Sequence, residues 1–101
     1  MHRFDIDENY AYISTEMEGF VGNILVIYDI RNPVKPVEVS RWWMPGQNVA
    51  AGEPPHVRGR DHSLHHAMRC GNELYAGCWF SGISIVDVSD IARPRTLGRH
   101  E

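Results

Sequence analysis

The chain has few cysteines, no long apolar run and no excess of positive charge. Only Cys70 and Cys78 occur among its 101 residues, which is too few for a disulfide framework. No apolar stretch approaches the roughly 18 residues that a membrane-spanning helix needs, so we expect no membrane span. The net charge is −3 and no basic patch stands out, so we expect no nucleic-acid partner. The start, residues 1–5, lacks the shape of a signal peptide, and the localisation is left open.

Recognisable catalytic motifs are also missing. Ser63 lies beside His62, but adjacent residues do not form a catalytic triad, and there is no G-x-S-x-G sequence. There is also no glycine-rich phosphate loop and no signature of paired catalytic carboxylates. The sequence therefore favours a non-enzymatic role.

What the chain does contain is a repeat. The stretch "LVIYDIRNPVKPVEV" (25–39) matches "ISIVDVSDIARPRTL" (83–97), with Asp29 on Asp87 and Pro36 on Pro94, 58 positions apart. The stretch "HRFDIDENYAYIS" (2–14) matches "HHAMRCGNELYAG" (65–77) at 63 positions. The two offsets differ because the loop at 15–23 is longer than its counterpart at 78–82. We predict one unit over 1–40, a second over 62–101, and an inserted loop over 41–61.

Each unit is predicted to be a sheet of short antiparallel strands. In the second unit, strands are expected at 65–70, 74–79, 83–88 and 95–99, with a turn at Gly71-Asn72 and Pro94 before an edge strand. The run Ile24 to Ile27 is apolar throughout, which is typical of a strand covered on both faces. Four strands in about 40 residues is the size of a β-propeller blade. The predicted fold is all-β, with two four-stranded antiparallel sheets forming an incomplete propeller; a β-sandwich is the alternative.

The residues also resemble a known family. "ILVIYDIRNPVKPVEV" and "GISIVDVSDIARPRTLG" are similar to LVIVD-repeat proteins, in which an apolar strand is followed by Asp and then by an Asp/Asn-x-x-x-Pro turn. Ile91 stands where that pattern usually has Pro, and Tyr28 replaces a Val. "YAGCWFSGISIVDVSDIARPRTLG" is also similar to selenium-binding proteins, which are propellers with methanethiol oxidase activity and a histidine-bound metal. The resemblance implies more blades than two, so we expect self-association or further blades to complete the propeller.

Four of the six histidines lie within eleven residues. In a propeller the first strand of each blade lines the central channel, and His2 is the repeat equivalent of His65. Imidazoles at that position suit a transition metal such as Zn or Cu. His65 and His66 are adjacent, so they point to opposite faces of a regular strand. The candidate metal ligands are His2, His62, His65 and His66, with Asp61 as a possible ligand or orienting group; hydrogen-bonded structural histidines are the alternative.

The insertion is predicted to fold over one face of the propeller, with Trp42 and Trp43 as its anchor. The alternative is that the two indoles fill space between blades. The candidate ligand-binding residues at the channel mouth and in this loop are His56, Arg58, Arg60, Trp42, Trp43 and Trp79. Cys70 and Cys78 are expected to be buried free thiols, with Cys78 opposite His66. The favoured function is a ligand- or protein-binding scaffold module, and the alternative is part of a metal-dependent propeller enzyme.

Overall fold

The computed structural model describes residues 3–32, 34–44, 47–52, 64–78 and 82–100. These residues form two four-stranded antiparallel sheets, each with its strands in chain order. The first blade consists of β1 (Arg3–Ile6), β2 (Tyr10–Glu16), β3 (Asn23–Asp29) and β4 (Val37–Trp42). The second blade consists of β5 (Leu64–Cys70), β6 (Glu73–Cys78), β7 (Gly82–Asp87) and β8 (Arg95–His100). The predicted all-β fold with two four-stranded antiparallel sheets is confirmed.

The two blades share one strand register. The pair Tyr12↔Ile27 in the first blade becomes Tyr75↔Ile85 in the second, which is the correspondence that the sequence repeat predicts. Each blade also has a β-bulge at the same place, between Ile27 and Tyr28 and between Ile85 and Val86. The repeat in the sequence is therefore also a repeat of strand order and of the β2–β3 register.

The turns after β3 and β7 are also equivalent. The carboxylate of Asp29 accepts a hydrogen bond from the Arg31 amide at 3.0 Å, and Asp87 accepts one from the Ser89 amide at 2.9 Å. Asn32 and Asp90 then accept from the amide two residues further on. Short polar side chains that bond the backbone two residues ahead close turns and end strands. The Asp and Asn/Asp positions of the repeat are thus turn residues.

The apolar core lies between the blades. Its members come from both sheets and are largely buried: Tyr12, Leu25, Ile27, Trp42, Met44, Leu64, Ala67, Leu74, Ala76, Cys78, Val86 and Val88. The run Ile24 to Ile27 is fully buried, as its unbroken apolar character predicts. Every strand therefore has an inner face toward the other blade and an outer face away from it.

Two predictions about the cysteines were wrong. Cys78 is buried, but Cys70 is exposed, and both are free thiols. Cys78 lies opposite Leu64 rather than His66, because the register shifts between Leu64 and His66 and leaves His65 as an extra residue in β5. Sequence spacing alone assumes a regular ladder, and a bulge adds one residue to one strand.

Candidate functional site

The predicted site residues are only partly placed. His2, His56, Arg58, Arg60, His62 and Trp79 lie outside the described residues, so their roles stay predictions. Trp42, Trp43, His65 and His66 are described: Trp42 ends β4 and Trp43 follows it, whereas His65 and His66 lie near the start of β5.

Trp42 lies between the blades. It is 5% exposed, and its indole Nε1 donates a 2.9 Å hydrogen bond to the Thr96 hydroxyl of β8. Trp43 turns the other way, and its ring lies edge-on to Phe20 with centroids 5.1 Å apart. The pair therefore holds β4 to the neighbouring blade on one side and to the loop after β2 on the other.

A cleft of about 310 Å³ lies between the end of β4 and the start of β8. It is lined by Arg41, Trp42, Trp43, Pro94, Arg95 and Thr96. Both guanidinium groups already have a carboxylate partner, Glu38 for Arg41 at 2.9 Å and Asp87 for Arg95 at 3.2 Å.

Gln47 fixes the segment that follows Trp43. Its side chain is 1% exposed; its carbonyl accepts from the Met44 amide at 2.8 Å, and its Nε2 donates to the carbonyls of Val21 and Asn23 at 2.9 Å each. All three of these partners are backbone atoms. One buried amide thus ties Met44 and residues 47–52 to the loop after β2.

The described histidines do not assemble a metal site. His65 is the extra residue of the β5 bulge, and His66 pairs with Gly77. The Nε2 atom of His66 is buried without a hydrogen-bond partner, so it is one candidate for an atom that ligates a metal. Within the described ranges no three His, Cys, Asp or Glu side chains come close enough to hold a metal ion. A metal would need ligands from outside those ranges.

A polar cluster joins the blades at β1, β2 and β5. The Tyr12 hydroxyl donates to Asp7 at 2.8 Å and accepts from the Arg69 guanidinium at 2.6 Å, while Asp5 accepts from the Arg69 amide at 3.3 Å. Arg69 also lies 3.7 Å from the Asp7 carboxylate. We call Asp5, Asp7, Tyr12 and Arg69 the polar latch.

The latch changes the acidity of its members. Burial is the largest influence on Asp7 and raises its pKa, but hydrogen bonds from the Asn9, Tyr10 and Tyr12 donors and the charge of Arg69 outweigh burial, so the net pKa is lowered. Burial raises the pKa of Tyr12 to about 12, against a partial lowering by Arg69. Tyr12 is therefore protonated and Asp7 ionised at neutral pH.

Each blade has an apolar outer face that is partly exposed, although Ala11 within the first is buried. The first outer face comprises Phe4, Ile6, Ala11, Ile13, Tyr28 and Ile30, and strand register puts its strand residues on one side of the sheet. A groove of about 400 Å³ runs along it, lined also by Thr15, Met17 and Pro36. The second outer face comprises Met68, Tyr75, Ile83 and Ile85.

The sequence reasoning did not identify these faces. The sequence did contain a signal for these faces, because equivalent positions of the repeat differ in polarity. Met68 is the equivalent of Asp5, and Ile6 is the equivalent of Arg69. Comparing the two repeats position by position for polarity, rather than for identity, would have separated the inner faces from the outer ones. The predicted site instead followed unusual residue types, the histidines and tryptophans.

Three further findings bear on function. The described residues contain no helix of the length and apolar character needed to cross a membrane. The family model of the LVIVD repeat matches residues 3–43 and 70–100. No curated protein matches the chain, so the similarity to selenium-binding proteins receives no support.

Proposed function

The chain belongs to the LVIVD repeat family, and from that premise we propose that it is a protein-binding scaffold module whose outer faces dock further propeller blades. The observation that carries the proposal is exposure. Phe4 and Ile6 are 54% and 56% exposed on the first outer face, and Met68 and Ile83 are 54% and 46% exposed on the second. Contiguous apolar patches of this kind mark interaction surfaces or aggregation-prone surfaces.

The position of the faces supports docking by a sheet. Each outer face lies on the opposite side of its blade from the shared core, and its exposed side chains belong to neighbouring strands. Burying such side chains against another sheet removes apolar surface from water, which is the main favourable contribution to most protein association. A propeller blade is covered on both sides by its neighbours, so the two faces are where neighbours are missing.

Analytical ultracentrifugation over a wide range of concentrations tests the proposal, together with binding of the dye 8-anilinonaphthalene-1-sulfonate. We expect either assembled species, or a single chain that binds the dye through its open faces. The double variant Ile6→Glu/Ile83→Glu should lose both properties, because it places a charge on each face. Val34→Glu is the matched control, since Val34 is 90% exposed in the β3–β4 connection. A single chain that binds no dye would contradict the proposal.

A further inference from the structure

The first outer face is the counterpart of a surface that is already buried. Five residues of its groove have repeat equivalents on the inner face of the second blade, which packs against the first blade. Ala11, Ile13, Thr15, Tyr28 and Ile30 correspond to Leu74, Ala76, Cys78, Val86 and Val88. All five of the equivalents are core residues. The first outer face therefore has the position and the apolar character of a surface that receives a blade.

The second outer face is the counterpart of the inner face of the first blade, which is the other side of the same interface. Met68, Tyr75, Ile83 and Ile85 correspond to Asp5, Tyr12, Leu25 and Ile27. Of these equivalents, Tyr12, Leu25 and Ile27 are core residues on the inner face of the first blade. The two outer faces thus correspond to the two sides of the one blade–blade interface that the structure contains.

Three of the four side chains of the polar latch have changed on the outer faces, on both sides together. Asp5 and Asp7 are replaced by Met68 and Cys70 on the second outer face, and Arg69 is replaced by Ile6 on the first. Had only one side changed, a buried charge would face apolar atoms, which is costly. Because both sides changed, each outer face is complementary to the other in the same way that the inner faces are complementary.

We infer that two copies of this chain associate head to tail, with the second outer face of one copy seated on the first outer face of the next. The inference rests on the proposed scaffold function and names its partner. Such a contact joins two different surfaces, so repetition either closes a ring or extends a filament. In such an assembly the second blade of one copy is followed by the first blade of the next copy, just as the first blade is followed by the second within one chain.

Part of the first outer face is occupied by the chain itself. Ile24 and Val26 point to this side of the sheet but are fully buried. The Arg41 guanidinium, across from Val26, lies 5.8 Å from the centre of the Phe20 ring, which contacts Trp43. The incoming blade therefore meets the groove and the exposed β1 side chains, not the end of the sheet near Phe20.

Two variants that each block one face test this arrangement. Ile6→Glu blocks the first outer face, and Ile83→Glu blocks the second, with far-UV circular dichroism to show that both fold. In sedimentation, each variant alone should self-associate at least about tenfold more weakly than the wild type, since a buried charge costs more than 1.4 kcal/mol. An equimolar mixture should recover a complex of one copy of each, because one intact face of either kind remains.

The outcomes separate this inference from the scaffold function. Single variants that each self-associate as strongly as the wild type would show like faces pairing and overturn the head-to-tail order, while leaving the scaffold function in place. A wild-type chain that stays monomeric but binds the dye at its outer faces would overturn the pairing of two copies. It would indicate that another partner covers these faces. A mixture that forms no complex, although the wild type assembles, would also overturn the inference. Val34→Glu should behave as wild type throughout.

Discussion

The inner and outer faces of the two blades occupy equivalent positions of one repeat, but their polar contacts differ. Those of the inner faces join the two blades, whereas those of the outer faces, such as Tyr75–Glu73 and Arg41–Glu38, stay within one blade. The inner faces are joined by the polar latch, by the Ser14 hydroxyl donating to the Leu64 carbonyl at 2.7 Å, and by the Trp42–Thr96 hydrogen bond. At the same places the outer faces have Met68, Cys70 and Gly77 on one blade, and Ile6 on the other.

The difference separates the two contributions to an interface. Apolar burial is not directional, so it holds blades together without setting which blade neighbours which. Hydrogen bonds and charges set the pairing and the register, because a misplaced partner leaves them buried and unpaired. The polar latch therefore sets the register between the two blades of the chain, whereas the outer faces offer mainly apolar area to the partner that we propose.

The largest expected effect comes from equivalent isoleucines on an inner and an outer face. Ile27 is fully buried between the blades, whereas its equivalent Ile85 is half-buried on the second outer face. Ile27→Ala should lower the free energy of unfolding by about 3 kcal/mol, since it leaves a cavity in the core. Ile85→Ala should cost about 1 kcal/mol in the single chain, by loss of partly buried apolar area.

Urea unfolding followed by circular dichroism measures both variants under conditions where the chain is not assembled. The head-to-tail contact predicts that the cost of Ile85→Ala grows with protein concentration, because association buries that side chain. Equal costs for the two variants in the single chain would mean that inner and outer faces do not differ in packing.

The next effect is the loss of the polar latch. Arg69→Met removes the donor to the Tyr12 hydroxyl and the charge beside Asp7, and leaves both groups at a partly buried interface. Hydrogen bonds to charged groups contribute about 1.5–3 kcal/mol, so we expect a loss of about 2 kcal/mol in the free energy of unfolding. Arg31→Met is the matched control, because the Arg31–Asp29 pair at 2.6 Å is exposed and such pairs contribute little. Similar losses in the free energy of unfolding for the two variants would mean that the latch contributes no more than an ordinary surface ion pair.

The fold could be predicted because its information is local and repeated. The Asp and Pro positions close turns within a few residues. The offset of 58 positions from Asp29 to Asp87 and that of 63 from Tyr12 to Tyr75 carry the strand register from one blade to the other. Strand ends agree with the structure to within a residue or two in the second blade, where β7 covers Gly82–Asp87 against a predicted 83–88.

The polar latch could not be predicted because its residues are distant in sequence. Asp5 and Arg69 meet only when β1 and β5 pack together, and neither belongs to a motif. The bulge at His65 was missed for a related reason, since nothing in the spacing of His65 and His66 distinguishes a regular strand from one with an extra residue. Gln47 likewise has neighbours in sequence that do not indicate its contacts with Val21 and Asn23.

The alkaline pH dependence should differ between equivalent tyrosines. Burial first of all raises the pKa of Tyr12 from 10.0 to about 12. A group whose pKa is higher in the folded chain contributes stability below the unfolded value and loses it as the pH rises toward the folded value. The free energy of unfolding should therefore fall between pH 10 and 12. Tyr12→Phe should flatten this decline, whereas Tyr75→Phe should change it little, because Tyr75 is 39% exposed on an outer face.

Thermal unfolding at a series of alkaline pH values measures this decline for the wild type and both variants. A decline that survives Tyr12→Phe unchanged would assign the alkaline loss to other groups, and Tyr12 would then be no more sensitive in the inner face than its equivalent in the outer one.

The smallest effect concerns His66, the one described residue whose buried side-chain nitrogen has no partner. An unpaired buried polar atom costs about 1–3 kcal/mol, so His66→Leu should raise the free energy of unfolding by about 1 kcal/mol after allowance for the change of shape. The same variant tests the predicted metal role. If His66 ligates a metal with residues outside the described ranges, Zn²⁺ or Cu²⁺ should raise the melting temperature of the wild type and leave that of His66→Leu unchanged. Met68→Leu, two positions further along β5, is the control for apolar exchange on that strand. The opposite result would be a His66→Leu variant that is less stable than the wild type, together with a wild type whose melting temperature does not respond to metal. It would mean that the Nε2 atom has a partner in the folded chain, and that His66, like Trp42, stabilises the blade.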